Sequence, residues 1–161
     1  MKQLSCFFNV VLVGFCSVCL LSAESAFAQK ENNIWYFGNG AGLDFNSGSP
    51  VALNNGALNT TEGCASIADT SGNLLFYTEG VTVFNKVHSV MANGSGLLGG
   101  NSSSQSAIIV PLPGSSTTYY IFTTPDQGSV AGLNYSIVDM TLQGGLGEIV
   151  ILNTLLNTPI G

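Results

Sequence analysis

Arginine is missing from this chain, and charge of either sign is scarce: three lysines, nine acids and one histidine among 161 residues. A nucleic-acid or anionic-membrane surface needs a basic patch, and Lys2, Lys30 and Lys86 are too few and too scattered to build one. Cysteine is nearly absent beyond the first 28 residues, since Cys6, Cys16 and Cys19 all precede Ala28 and only Cys64 follows. One cysteine closes no internal disulfide, so a disulfide-stapled mini-domain is excluded for residues 29–161. Sustained helical periodicity with caps is also lacking after Gln29, which leaves strands and turns as the building material. Histidine occurs once, at His88, and a histidine-based transition-metal site would have only Cys64 as its soft companion.

What is present begins with a leader. Lys2 opens a short basic region, an apolar run follows from Leu4 to about Leu21, and Ala26-Phe27-Ala28 supplies an A-x-A site before Gln29. Residues 1–28 read as a cleaved secretory signal peptide rather than a membrane anchor, the run being short for a span. A lipoprotein reading fails because Phe15 stands directly before Cys16, and Cys16 and Cys19 both lie inside the run. Removal of the leader leaves two lysines against eight acids in 29–161. An abundance of Gly, Asn, Ser and Thr with few charges fits an extracellular β-protein with a polar, largely uncharged surface.

The stretch 61–85, TEGCASIADTSGNLLFYTEGVTVFN, carries the clearest structural signal. Strand-like runs at 64–68 and 74–78 are joined by Asp69-Thr70-Ser71-Gly72-Asn73, a composition suited to a tight reversal. A third run at 81–84 completes an antiparallel meander that 86–91 extends. Leu74-Leu75-Phe76-Tyr77 is apolar on both faces, so both faces need cover. Before it stand short strands at 33–37, 43–45 and 51–53. After a Gly/Ser/Asn-rich connection at 92–105, strands at 106–112, 119–123, 133–140 and 146–152 repeat the pattern, the last two joined across Gln143-Gly144-Gly145.

The second set lies roughly 43 to 55 residues beyond the first, and a period of about 40–50 residues with four antiparallel strands describes a propeller blade. The expected fold class is therefore all-β, a partial β-propeller of about two four-stranded antiparallel blades plus opening strands. A β-sandwich is the competing architecture, since it also has short, regularly spaced strands. A closed propeller needs more blades than 29–161 supplies, and 152–161 reads as a connection leading onward. That makes 29–161 an incomplete propeller domain, the amino-terminal part of a longer protein truncated at its carboxy terminus.

NIWYFGNGAGLDF at 33–45, TTEGCASIADTSGNLLFYTEGVTVFN at 60–85 and GLLGGNSSSQSAIIVPLPGSSTTYYIFTT at 96–124 also resemble one family. It is the amino-terminal propeller-like region of large secreted proteins of gliding Gram-negative bacteria, which carry PKD or other immunoglobulin-like repeats and a gliding-motility-associated or type IX secretion sorting domain. The resemblance covers nearly all of 29–161. It implies secreted, extracellular or outer-cell-surface placement and a role in adhesion, with an extracellular protein or glycan and the remaining blades of the full-length chain as partners. It carries no catalytic residues across.

Chemistry-bearing residues read mostly as structural. Gly94-Ser95-Gly96-Leu97-Leu98-Gly99 matches G-x-G-x-x-G, yet no helix follows to present its amino terminus to a pyrophosphate. A Cys64–His88 dyad has no supporting signature, so Cys64 reads as an inert thiol and His88 as a strand-edge polar residue. Asp69, Ser71 and Asn73 imitate the first ligands of a calcium loop, but Leu74 stands where Gly is required. They are the only metal candidates, for a structural calcium that Glu62, Glu79, Asp126 or Asp139 could supplement. No spacing among the eight acids singles out a glycosidase pair. Trp35, Tyr36, Tyr77, Tyr119 and Tyr120 could stack on sugars, but their strand positions favour packing. Sequons at Asn59, Asn93, Asn101 and Asn134 read as compositional. No cofactor and no catalytic residue is assigned. The functional expectation is a non-enzymatic adhesion or protein/glycan-interaction segment of a larger surface protein. The alternatives are part of a polysaccharide-acting hydrolase and a structural spacer.

Overall fold

The computed structural model describes residues 30–126 and 129–156. Residues 1–29, 127–128 and 157–161 lie outside these, and with them the expected leader, its expected cleavage site and the end of the expected connection. Eleven strands are described: β1 (Ile34–Phe37), β2 (Ala41–Asp44), β3 (Val51–Leu53), β4 (Ala65–Ala68), β5 (Leu74–Thr78), β6 (Thr82–Asn85), β7 (Val90–Ser95), β8 (Ala107–Pro111), β9 (Thr118–Thr123), β10 (Asn134–Asp139) and β11 (Glu148–Leu155). No α-helix occurs among the described residues, and one 3-10 turn at Gln143–Gly145 precedes β11. The fold class is all-β.

Strands β1–β2–β3 form a small antiparallel sheet, and the other eight form one sheet in the order β4-β5-β6-β7-β11-β10-β9-β8. That larger sheet curls into a nearly closed, barrel-like wall. Its halves are two antiparallel meanders, β4 to β7 and β8 to β11, each in chain order. In their first hairpins Ala65 pairs with Thr78 and Ala107 with Thr123, the first ladder interrupted by a bulge at Ile67/Ala68. One parallel pair, Glu148 with Ala92, joins the halves along β7 and β11. At the opposite seam β4 lies beside β8 without a backbone ladder, linked instead by Gly63 N–H to Ser103 O and by Ser106 Oγ to Glu79 O.

Both meanders point apolar side chains into one shared core. Ile67, Phe76, Val83 and Met91 from the first meet Tyr119, Ile121, Val138, Met140 and Ile149 from the second. A second core lies on the other side of the first meander, where Ile34, Tyr36 and Leu58 pack on Ala68 and Tyr77. Three layers result, with β4–β7 in the middle. This is why Phe76 and Tyr77, neighbours on opposite faces of β5, are both fully buried. Burying such a pair stabilises by about 3–6 kcal/mol before the entropy of ordering is subtracted.

Two sequence boundaries move. Residues 92–95, expected as loop, belong to β7, because Asn93 takes a left-handed φ of 56° that lets the strand bulge and continue. Residues 152–155, expected as a connection, continue β11 past Asn153, which takes a φ of 53°. Asn153 also bridges to the neighbouring wall, its Oδ1 accepting from Leu98 N–H and its Nδ2 donating to Gly96 O.

Candidate functional site

The densest group of polar and aromatic side chains sits where the small sheet covers the middle layer. Tyr36 on β1 stacks on Tyr77 of β5, with centroids 4.5 Å apart. His88 closes the group from the β6–β7 turn, where its φ of 61° swings the ring inward, 5.2 Å from the Tyr36 ring. Asn55 accepts from Tyr36 Oη at 3.0 Å and places its amide 2.9 Å from His88 Nε2. Tyr77 Oη lies 3.0 Å from His88 Nδ1 and accepts from Ala57 N–H at 2.9 Å. With Asn55 donating to Nε2, the proton of neutral His88 sits on Nδ1 and is donated to Tyr77. Burial pushes the phenols of Tyr36 and Tyr77 up. For Tyr36 the neighbouring Tyr77 and Asp44 add to that effect, against the lowering bond to Asn55.

This network ties a loop to a core. Both ring nitrogens of His88 are engaged, so it is not poised beside Cys64 as a base. Cys64 is half-buried, makes no disulfide, and burial pushes its thiol up, away from the reactive thiolate. It lines a cleft of about 330 Å³ with Trp35, Tyr36, Phe37, Ala65 and Ser66. Across that cleft Tyr36 N–H donates to Ser66 Oγ at 2.8 Å.

Asp69, Ser71 and Asn73 do come together, as a turn. Asp69 Oδ1 accepts from the backbone N–H of Ser71 at 2.8 Å and of Asn73 at 2.9 Å, while Oδ2 accepts from Asn73 Nδ2 at 3.0 Å. Burial alone would raise the Asp69 pKa, but the hydrogen bonds from Asn73, Ser71 and Gly72 outweigh it and hold the carboxyl below its usual range. Its oxygens are thus taken up in closing the β4–β5 hairpin. Among the described residues no three His, Cys, Asp or Glu side chains converge on a point that could hold a metal ion.

The carboxylates behave differently from one another. Asp139 caps its own turn through Thr141, and those bonds lower its pKa. Asp126 accepts from Ser102 N–H, and Glu79 Oε1 from Thr82 N–H. Glu62 stands exposed beside Thr60. One pairing escaped sequence reasoning: Glu31 and Asp69 line a cleft of about 190 Å³ with Thr70, Pro111, Ser115, Ser116 and Tyr119. Glu31 Oε2 is buried there without a hydrogen-bond partner. No local motif surrounds Glu31, which precedes β1 and is brought beside Asp69 by the hydrogen bond from Ala68 N–H to its carbonyl oxygen. With Asp69 committed to its turn, the pair lacks a second free carboxylate for acid–base work.

The Gly94–Gly99 segment leaves β7 and returns to the first meander through Leu97 N–H to Val81 O and Gly99 N–H to Gly80 O, so it cradles no phosphate through a helix. Packing explains Tyr36, Tyr77 and Tyr119, which are buried. It does not explain Trp35, 49% exposed on the outer side of β1, nor Tyr120, half-exposed on the outer side of β9. Those two depart from the sequence expectation because neither outer sheet face is covered. No helix among the described residues is long and apolar enough to cross a membrane. No family model, curated protein or solved structure matches this chain.

Proposed function

We infer that this chain is a secreted or cell-surface, non-enzymatic interaction segment built as consecutive blades of a β-propeller, which presents loops to an extracellular protein or glycan. One observation carries the reading: the two meanders are stacked in the same strand order, with β7 parallel to β11 and β4 beside β8. Two sheets matched edge for edge and direction for direction turn opposite faces to their shared core, as successive blades around an axis do. A sandwich of two sheets related by a two-fold axis would turn equivalent faces inward. The middle layer, apolar and buried on both sides, supports the same arrangement.

The non-enzymatic side of the reading is supported by the state of three candidate groups: Asp69 engaged in its turn, His88 held between Asn55 and Tyr77, and Cys64 a raised-pKa thiol. Two measurements on the full chain test it. Binding to a glycan array or to immobilised extracellular protein is expected, with no turnover of polysaccharide. Hydrolysis that disappears in Glu31→Gln would sink it.

A further inference from the structure

Between the small sheet and the middle layer, Tyr36, Asn55, His88 and Tyr77 form one run of hydrogen bonds in which each group fixes the next. Tyr36 Oη donates to Asn55 Oδ1 at 3.0 Å, Asn55 Nδ2 stands 2.9 Å from His88 Nε2, and His88 Nδ1 stands 3.0 Å from Tyr77 Oη. This order needs a neutral imidazole, because Nε2 must keep its lone pair for the amide. A proton on Nε2 would set two donors against each other across that 2.9 Å contact.

Withdrawal of either partner is blocked. Next to Asn55, Gly56 N–H donates to Gly40 O, Ala57 N–H donates to Tyr77 Oη, and Leu58 is fully buried. His88 N–H donates to Asn85 O, and its ring lies 5.2 Å from that of Tyr36 and 5.8 Å from that of Tyr77. The χ2 torsion of Asn55 stays free, since the two ends of an amide have nearly the same shape and the torsion is broad and two-fold.

We propose that this network is a proton-driven relay: when His88 takes a proton, the Asn55 amide turns over and Tyr36 Oη changes from donor to acceptor. In the acid state Nε2–H donates to Asn55 Oδ1, Nδ1–H still donates to Tyr77 Oη, and Asn55 Nδ2 donates to Tyr36 Oη. Every contact again has a donor facing an acceptor, so the small sheet keeps its seat while a charge enters the joint. The surroundings admit that charge. The ring meets Tyr36 from β1 and Tyr77 from β5, and the Asp44 carboxylate on β2 acts electrostatically on Tyr36. The 54–58 loop and β6 carry no ionisable side chain. Lys86, on the same turn as His88, is exposed and extends toward Gly145. The relay thus reads pH where histidine changes charge, and its output is the polarity of a hydroxyl on β1.

Heteronuclear NMR of the full, isotope-labelled chain tests this, because a scalar coupling between two nitrogens crosses only an N–H···N hydrogen bond. The titration runs from about pH 8 to about pH 5, the range that brackets the charge change of histidine. Asn55 Nδ2 and His88 Nε2 should be coupled at the upper end, and the coupling should vanish in step with protonation of the ring. The Ala57 amide should stay protected from hydrogen exchange throughout. In His88→Asn, a residue that suits the left-handed backbone there, the Asn55 side-chain signals should lose this pH dependence. If that variant does not fold, the wild-type titration decides alone. Absence of the coupling at the upper end, a coupling that outlasts ring protonation, or a ring that takes no proton in this range would each overturn the relay. Loss of Ala57 protection along with the coupling would overturn it too, because the loop would then be leaving rather than turning its amide. An Asn55 response that survives in His88→Asn would assign the trigger to another group and have the same force.

Discussion

Asp69 shows how a residue legible as a ligand becomes a hinge pin. Its carboxylate is fully engaged by N–H groups of the loop it closes. Asp69→Ala should therefore lower stability by about 1–2 kcal/mol, the scale of charge-assisted hydrogen bonds at a partly exposed site, as read by chemical denaturation. Because the folded-state pKa is depressed, this stabilisation is present above the unfolded value near pH 4 and is lost as pH falls through the lower folded value. The wild-type and Asp69→Ala chains should accordingly converge in stability once pH falls below the lowered folded-state value. The phenols set the opposite limit. Burial raises Tyr36, Tyr77 and Tyr119, the last with help from Asp69 and Glu31, so their contribution is complete below about pH 10 and is lost as pH rises through the folded values. Ultraviolet titration should find these three ionising above the ordinary phenol value, and Tyr77→Phe should cost about 1–2 kcal/mol by stranding Ala57 N–H. The sequence displayed Asp69, Gly72 and Asn73 as a turn because that chemistry is local. It could not display Asn55 against His88, or Glu31 in one cleft with Asp69, since only folding brings them within reach.

Elements repeat the lesson at longer range. The strands β5 and β9 were legible from apolar composition alone, and their hairpin turns from Gly and Pro. The bulges that prolong β7 and β11 were not, because Asn93 and Asn153 in the left-handed region resemble ordinary loop asparagines. Close approach between elements was invisible too. Gly63 and Gly99 sit where β4 and β5 meet the loop before β8: a Cβ on Gly63 would stand 2.4 Å from the Ser106 nitrogen, and one on Gly99 2.5 Å from the Gly80 oxygen. Gly96, by contrast, has open space around it and only its φ of 81° to defend. Gly63→Ala should thus destabilise by at least about 2–3 kcal/mol, because the clash is with backbone that cannot step aside, while Gly96→Ala costs about 1 kcal/mol. Thermal melting of the two variants orders them. Equal effects would mean that the seam beside Ser106 is looser than its geometry indicates.

At the scale of the whole molecule, apolar faces on both sides of the middle layer were readable from Leu74-Leu75-Phe76-Tyr77, and so was the need for neighbouring sheets. The curling of eight strands into one nearly closed wall was not, because it depends on a pairing between β7 and β11 that spans more than fifty positions and leaves no periodic trace. That seam has a kinetic consequence. Each meander is made of neighbours in the chain, so its loops close early and at little entropic expense. Joining the two requires the long closure, rewarded along β7 and β11 by a single backbone pair, Glu148–Ala92, with the Asn93 and Asn153 side-chain clips, and beyond it by the shared core. The seam should form last and open first. In native-state hydrogen exchange, amides of β5 and β9 should open with the global free energy, while those of Ala92 and Glu148 exchange through a cheaper, sub-global opening that leaves both meanders intact. Two cooperative units of nearly equal size would then breathe against each other, opening at the β7–β11 seam while the β4–β8 side holds, and the molecule would behave on the millisecond scale less as a barrel than as a clasp.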